Sequence, residues 1–116
     1  MRLLTLICLV LLSSCSQQPE VVTGHILVRD GITYHQDTNE PITGIVEEFY
    51  ENGQLKVRQY YKDGKVDGWW ESYHINGQVR GSGSVIEGNQ DGVYVWFDSN
   101  GVPFMTRLYK NGVEVK

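Results

Sequence analysis

The chain opens with a block of apolar residues and then changes to alternation. Leu3–Leu12 is apolar apart from Thr5, follows Met1-Arg2, and ends at Ser13-Ser14. At about ten residues it is shorter than the roughly 20 that a helix needs to cross a membrane. Past Thr23, short runs of β-branched and aromatic residues alternate with polar ones and break at glycine-containing pairs, the pattern of half-buried strands joined by tight turns. No later segment of ten or more residues places apolar side chains at helical spacing.

The breaks recur with a fixed period. Asn52-Gly53, Asn76-Gly77 and Asn100-Gly101 form one column, and Asp63-Gly64, Glu87-Gly88 and Asn111-Gly112 a second. Gly44, Gly68 and Gly92 form a third, and the aromatics Phe49, Tyr73 and Phe97 keep step. Every spacing is 24 residues. Each unit predicts a glycine, a strand, an Asn-Gly turn, a second strand and a second turn. The units span residues 44–67, 68–91 and 92–115. The expected fold is all-β: an elongated, twisted, single-layer antiparallel sheet of tandem hairpins.

Two registers fit the Asn-Gly turn. A two-residue loop sets Phe49 opposite Lys56. A three-residue Glu51-Asn52-Gly53 loop, with a left-handed Gly53, sets Phe49 opposite Leu55, Glu47 opposite Val57 and Glu48 opposite Lys56. In the other units it matches Tyr73 with Val79, Phe97 with Pro103 and Val95 with Met105. The second register is preferred because it gathers apolar groups on one face. That face carries Ile45, Phe49, Leu55, Val57, Tyr61, Trp69, Tyr73, Val79, Val93, Val95, Phe97 and Met105. The opposite face mixes Glu48, Lys56, Arg58, Ser72, His74, Arg80 and Asp98 with Trp70, Tyr94 and Trp96. Arg80-Gly-Ser-Gly-Ser84 has almost no side-chain volume, so either a neighbouring ring covers it or it floors a shallow groove. Pro103 and Phe104 depart from the pattern and predict imperfect pairing in the third unit.

The ends differ from the units. Residues 24–43 predict a cap: a short hairpin, Ile26–Val28 with Ile32–Tyr34, then a loop over His35–Thr43. Val113–Val115 begins a fourth unit and reads as the other cap. Residues 15–23 are a polar tether.

Composition and charge narrow the function. The 116 residues carry a formal charge of −4. Without residues 1–14, Arg2 is lost, and nine basic residues face fourteen acidic ones. That balance opposes nucleic-acid binding and electrostatic adhesion to anionic lipids. Leu12-Ser13-Ser14-Cys15, after a charged-then-apolar leader, resembles the lipobox of bacterial lipoproteins. The resemblance implies a signal peptide over residues 1–14, a diacylglycerol thioether on Cys15, and an N-acyl chain on its new amino group. Cys8 leaves with the leader, so no disulfide partner remains for Cys15. The protein is then expected in the cell envelope, anchored by lipid. Ser16, by resemblance to Gram-negative sorting rules, directs it to the outer membrane; in a Gram-positive host it stays on the outer leaflet of the cytoplasmic membrane.

Gly44-Ile-Val-Glu-Glu-Phe-Tyr-Glu-Asn-Gly-Gln-Leu-Lys56, Tyr60-Tyr-Lys-Asp-Gly-Lys-Val-Asp-Gly68 and Trp70-Glu-Ser-Tyr-His-Ile-Asn-Gly77 resemble the bacterial MORN-repeat-variant family. The resemblance implies the same single-layer sheet, and scaffold or membrane-contact roles without catalysis in the repeats. Many members carry an antitoxin label, which for an exported lipoprotein implies immunity to an envelope-acting toxin.

No enzymatic constellation stands out. His25, His35 and His74 are scattered, without ligand spacing. Ser72, Ser82, Ser84 and Ser99 have no evident histidine–carboxylate pair. Glu47, Glu48 and Glu71 lie beside Lys56, Arg58 and Arg80, as in cross-strand charge pairs. The expectation is a non-enzymatic module without a metal or other cofactor, binding a protein partner through Trp70, Tyr94 and Trp96, with Tyr50 a fourth candidate. The alternative is edge-to-edge self-association through Val113–Val115 or Ile26–Val28.

Overall fold

The second turn column decides where the strands end and how successive units join. Asp63, Glu87 and Asn111 sit at φ of 50°, 49° and 51°, each followed by a glycine at φ of 82–85°. Two consecutive positive φ values make the mirror-image turn that matches the twist of the flanking strands. The glycine amide then points out of its own hairpin. Gly64 N–H donates to the Ile42 carbonyl, Gly88 to Val66 and Gly112 to Gln90, at 2.7–2.8 Å. Each turn is thereby bonded to a carbonyl 22 residues earlier.

The computed structural model describes residues 20–116, so the leader and Cys15 lie outside it. The strands are β1 (Ile26–Arg29), β2 (Ile32–His35), β3 (Gly44–Phe49), β4 (Leu55–Lys62), β5 (Lys65–Tyr73), β6 (Val79–Ile86), β7 (Asn89–Phe97), β8 (Pro103–Lys110) and β9 (Val113–Val115). Strands β3 to β9 form one antiparallel seven-stranded sheet in sequence order, and β1 and β2 form a separate hairpin. Six steps of about 4.8 Å make the large sheet about 29 Å across, similar to the length of its nine-residue strands.

The Asn-Gly loops follow the three-residue register. Tyr50 N–H donates to the Gln54 carbonyl and Gly53 N–H to the Tyr50 carbonyl, with Gly53 at φ 89°. Phe49 pairs with Leu55, Tyr73 with Val79 and Phe97 with Pro103. The register then slips by one. Glu48 faces Val57, Glu47 faces Arg58 and Trp96 faces Met105, not the pairs Glu48–Lys56, Glu47–Val57 and Val95–Met105 expected from an unbroken ladder. The cause is a β-bulge one residue past the loop, which leaves Lys56, Arg80 and Phe104 as the extra residues. An extra residue inverts the face of everything after it. Val57, Tyr61 and Met105 thus move to the face of Trp70, Tyr94 and Trp96. The third unit pairs as regularly as the others: Pro103 opens β8, where its missing N–H costs nothing in the loop.

The N-terminal segment is more ordered than a hairpin and a loose loop. Tyr34 bridges to Pro41, and Thr33, Ile42 and Gly64 exchange three backbone hydrogen bonds. Ile42 is 0% exposed between the hairpin and the sheet. Glu20–Val22, expected within the tether, runs beside β3: Val22 N–H donates to Ile45 and Ile45 N–H to Glu20. The start of that edge strand is thereby covered, which removes an open template for association.

Two substitutions separate space from backbone strain. A Cβ on Gly83 would lie 2.5 Å from Tyr94 ring atoms, whereas one on Gly88 meets nothing within 4 Å but keeps a φ of 85°. Gly83→Ala should lower stability by about 1–3 kcal/mol through overpacking. Glu87→Asn should raise it by about 0.5 kcal/mol, because asparagine tolerates the left-handed region better than glutamate. Urea midpoints at unchanged m-value check both.

Candidate functional site: an aromatic groove over a glycine strand

β6 has glycine at Gly81 and Gly83 on one face and Ser82 and Ser84 on the other. Its neighbours β5 and β7 fill the space above the glycines. Trp70 and Trp96 both contact the position a Gly81 Cβ would take, at 3.1 Å, and the Tyr94 ring lies over Gly83. Adjacent ring centroids are 5.9 Å apart, with planes tilted by 29° and 31°, and Tyr109 meets Tyr94 edge-on at 5.2 Å. Rings laid on bare backbone gain contact area that a side chain on β6 would exclude.

This face, not the one expected to be apolar, holds the buried centre of the large sheet. Tyr94 is 2% exposed and Val85 7%, while Trp69 and Val93 on the other face are 45% and 53% exposed. A single-layer sheet has no second layer to bury its flat apolar residues. What becomes buried is the side chain that drops onto glycine.

The rings wall an open groove of about 240 Å³. Gln59, Val66 and Trp70 line one side, Gln90, Tyr94 and Trp96 the other, with Val85 and Gly88 completing it. The lining carries no ionised group. Trp70 and Trp96 are half-buried and reach the groove. Tyr94, expected among the partner-binding residues, is instead packing: its hydroxyl donates to the Ser84 carbonyl at 2.7 Å. Tyr50 also turns inward along the sheet, its hydroxyl donating to the Tyr73 carbonyl at 2.7 Å, with Lys56 Nζ 5.5 Å from its ring centre. Each hydroxyl has its one proton committed to a backbone carbonyl. Cys15 and Leu12, Ser13 and Ser14 lie outside the described residues.

One repeat column, which the sequence offers only as a position of varied side chains, ties successive units together. Tyr50, His74 and Asp98 are 24 residues apart, and the first two bond to the carbonyl of the next unit: Tyr50 to Tyr73 and His74 Nε2 to Phe97 at 2.9 Å. Asn76 adds a bond to the Ser99 carbonyl. Asp98 has no proton to donate and folds back to accept from Asn100 and Val102 N–H. The signal was the switch from two donors to an acceptor at one repeat position. The charge pairs are Arg58–Glu47 at 2.8 Å and Arg107–Glu114 at 3.0 Å. Among the described residues, no three His, Cys, Asp or Glu side chains gather as a metal site.

The model of the MORN repeat variant matches residues 42–63 and 90–111. Two segments of this chain are thus similar to that repeat variant. The matched segments begin 48 residues apart, two periods of 24. Between them lies the second MORN-like unit, with the same loop and bulge but with glycine and serine where its neighbours carry larger side chains. No curated protein and no solved structure matches the chain.

Burial pushes the Tyr94 hydroxyl above its ordinary value of 10, with Tyr109 adding to the shift; burial does the same to Tyr61 and Tyr73. A phenol raised in the folded state contributes stability that is complete below pH 10 and lost as pH rises through the folded value. Tyr94→Phe should cost about 1 kcal/mol at neutral pH, since the Ser84 carbonyl loses its donor. The same variant should lose stability less steeply above pH 10, which urea unfolding across that range measures.

Proposed function

We propose that this chain is a lipid-anchored, non-catalytic binding module that holds a partner protein at the groove between Trp70 and Trp96. One observation carries the reading: two half-buried indoles and an uncharged lining are gathered on one face of a repeat sheet. An open apolar surface on a small sheet is the usual mark of a contact site. MORN-variant units supply a rigid platform rather than reacting groups, and Glu47, Asp67, His74 and Ser84 are engaged in strand pairing, a turn or inter-unit bonds.

The anchor rests on Leu12-Ser13-Ser14-Cys15 behind its apolar leader. Acylation of Cys15 places the domain in the cell envelope, on the outer membrane of a Gram-negative cell. Two or three acyl chains give a stable anchor where one gives a reversible one. Glu20–Val22 is bonded to β3, and the four residues 16–19 separate Glu20 from Cys15 in the sequence. Five residue steps span at most about 17 Å, which on this reading holds the sheet near the bilayer.

Metabolic labelling with a fatty acid should mark the wild type and leave Cys15→Ser unlabelled and released from membranes. Crosslinking in cells should capture a protein with the wild type and lose it with Trp70→Ser/Trp96→Ser at equal folded yield. An unlabelled wild type contradicts the anchor; an unchanged partner profile contradicts the contact site.

A further inference from the structure

We infer that Asn100 is a modification site, deamidated spontaneously, and that the fold selects it from the Asn-Gly pairs of the chain. The inference does not depend on what the groove binds.

The candidates are Asn52-Gly53, Asn76-Gly77, Asn100-Gly101 and Asn111-Gly112. Asparagine is a labile residue, and a following glycine has no Cβ to shield its amide nitrogen. Once that nitrogen has given its proton to hydroxide, it attacks the asparagine Cγ. The bond from Cγ to Nδ2 breaks, ammonia leaves, and a succinimide ring closes. Water then opens the ring at either carbonyl. Attack at Cγ gives aspartate. Attack at the main-chain carbonyl gives isoaspartate, whose backbone runs through the side chain and is longer by a methylene. In sum, water enters and ammonia leaves. All four pairs are exposed, so access of water does not separate them.

Hydrogen bonding of the carboxamide does. In the second unit, Asn76 Oδ1 accepts from Gln78 N–H at 3.0 Å, and its Nδ2 donates to the Ser99 carbonyl at 2.8 Å. In the first unit, Asn52 keeps the former bond, accepting from Gln54 N–H at 3.0 Å. In the third unit the equivalent N–H, that of Val102, is taken by Asp98 Oδ1, which also accepts from Asn100 N–H. Asp98 stands where the other units carry Tyr50 and His74, which reach out to the next unit instead. Among the described residues, no hydrogen bond holds the Asn100 carboxamide away from Gly101 N.

Asn111 differs in its nucleophile. Its φ is 51°, and Gly112 N–H is bonded to the Gln90 carbonyl at 2.8 Å, a link between units. Gly101 N–H bonds within its own loop, to the Asp98 carbonyl at 3.0 Å. Freeing Gly101 N opens a loop, whereas freeing Gly112 N opens the contact between units. Isoaspartate at position 100 would lengthen the loop that Asp98 N–H closes on the Val102 carbonyl and that sets Phe97 opposite Pro103. Its effect therefore falls on the pairing of β7 with β8.

The purified full-length protein, aged in the folded state at mildly alkaline pH and mapped by peptide mass spectrometry, tests this. Asn100 should convert about tenfold faster than Asn76, which must first break two hydrogen bonds. In urea the four sites, each followed by glycine, should convert at similar rates. Asp98→His gives the third unit the residue of the second and returns the Val102 N–H to the Asn100 carboxamide. It should slow Asn100 severalfold at an unchanged urea midpoint. Equal rates in the folded protein, faster conversion at Asn76 or Asn111, or the same order of rates in urea overturns the inference. A folded Asp98→His that ages like the wild type overturns it too. If that variant does not fold, the order of rates in the wild type decides alone.

Discussion

The hydrogen bond from each turn glycine to the carbonyl 22 residues earlier, just past the preceding turn column, is the constraint on which the rest of the structure depends. Gly64, Gly88 and Gly112 aim their amides at Ile42, Val66 and Gln90 only because both central turn residues hold positive φ. A residue inserted anywhere in a unit would move the next amide away from its acceptor. The strict spacing of 24 is thus a consequence of bonding between units as well as within hairpins. At the other ends of the strands, Tyr50 and His74 repeat the device with side chains, and Asp98 stops it. Stability in such a stack is divided between units and their shared interfaces.

With the backbone fixed in this way, side-chain size decides where a core can form. The bulge after each loop rotates Val57, Tyr61 and Met105 onto the face where β6 is bare. Tyr94 drops onto Gly83 and becomes the most buried aromatic among the described residues, while Trp70 and Trp96 stand half-buried as walls of the groove. The packing centre and the groove wall are here two depths of a single aromatic cluster.

The sequence made the strands, the 24-residue period and the three-residue loops legible, because glycine and asparagine write turn geometry directly into the chain. The glycine-serine strand was legible too, as either ring-covered or groove-flooring, and it is both. The bulges at Lys56, Arg80 and Phe104 were not. Nothing in those three side chains marks an unpaired residue, since the bulge follows from closing a loop with a left-handed glycine. Missing it assigned Val57, Tyr61 and Met105 to the opposite face. The docking of Glu20–Val22 and Ile42 was equally hidden, because it depends on backbone groups that every residue has.

The central claim is that an aromatic ring seated on the glycine strand builds the groove. The chemical shifts of the Gly83 α-protons in solution measure this most directly. A ring lying over that backbone predicts both protons, or at least the one under Tyr94, well upfield of an ordinary strand glycine, returning toward it in Tyr94→Leu. Ordinary glycine shifts in the folded wild type would contradict it.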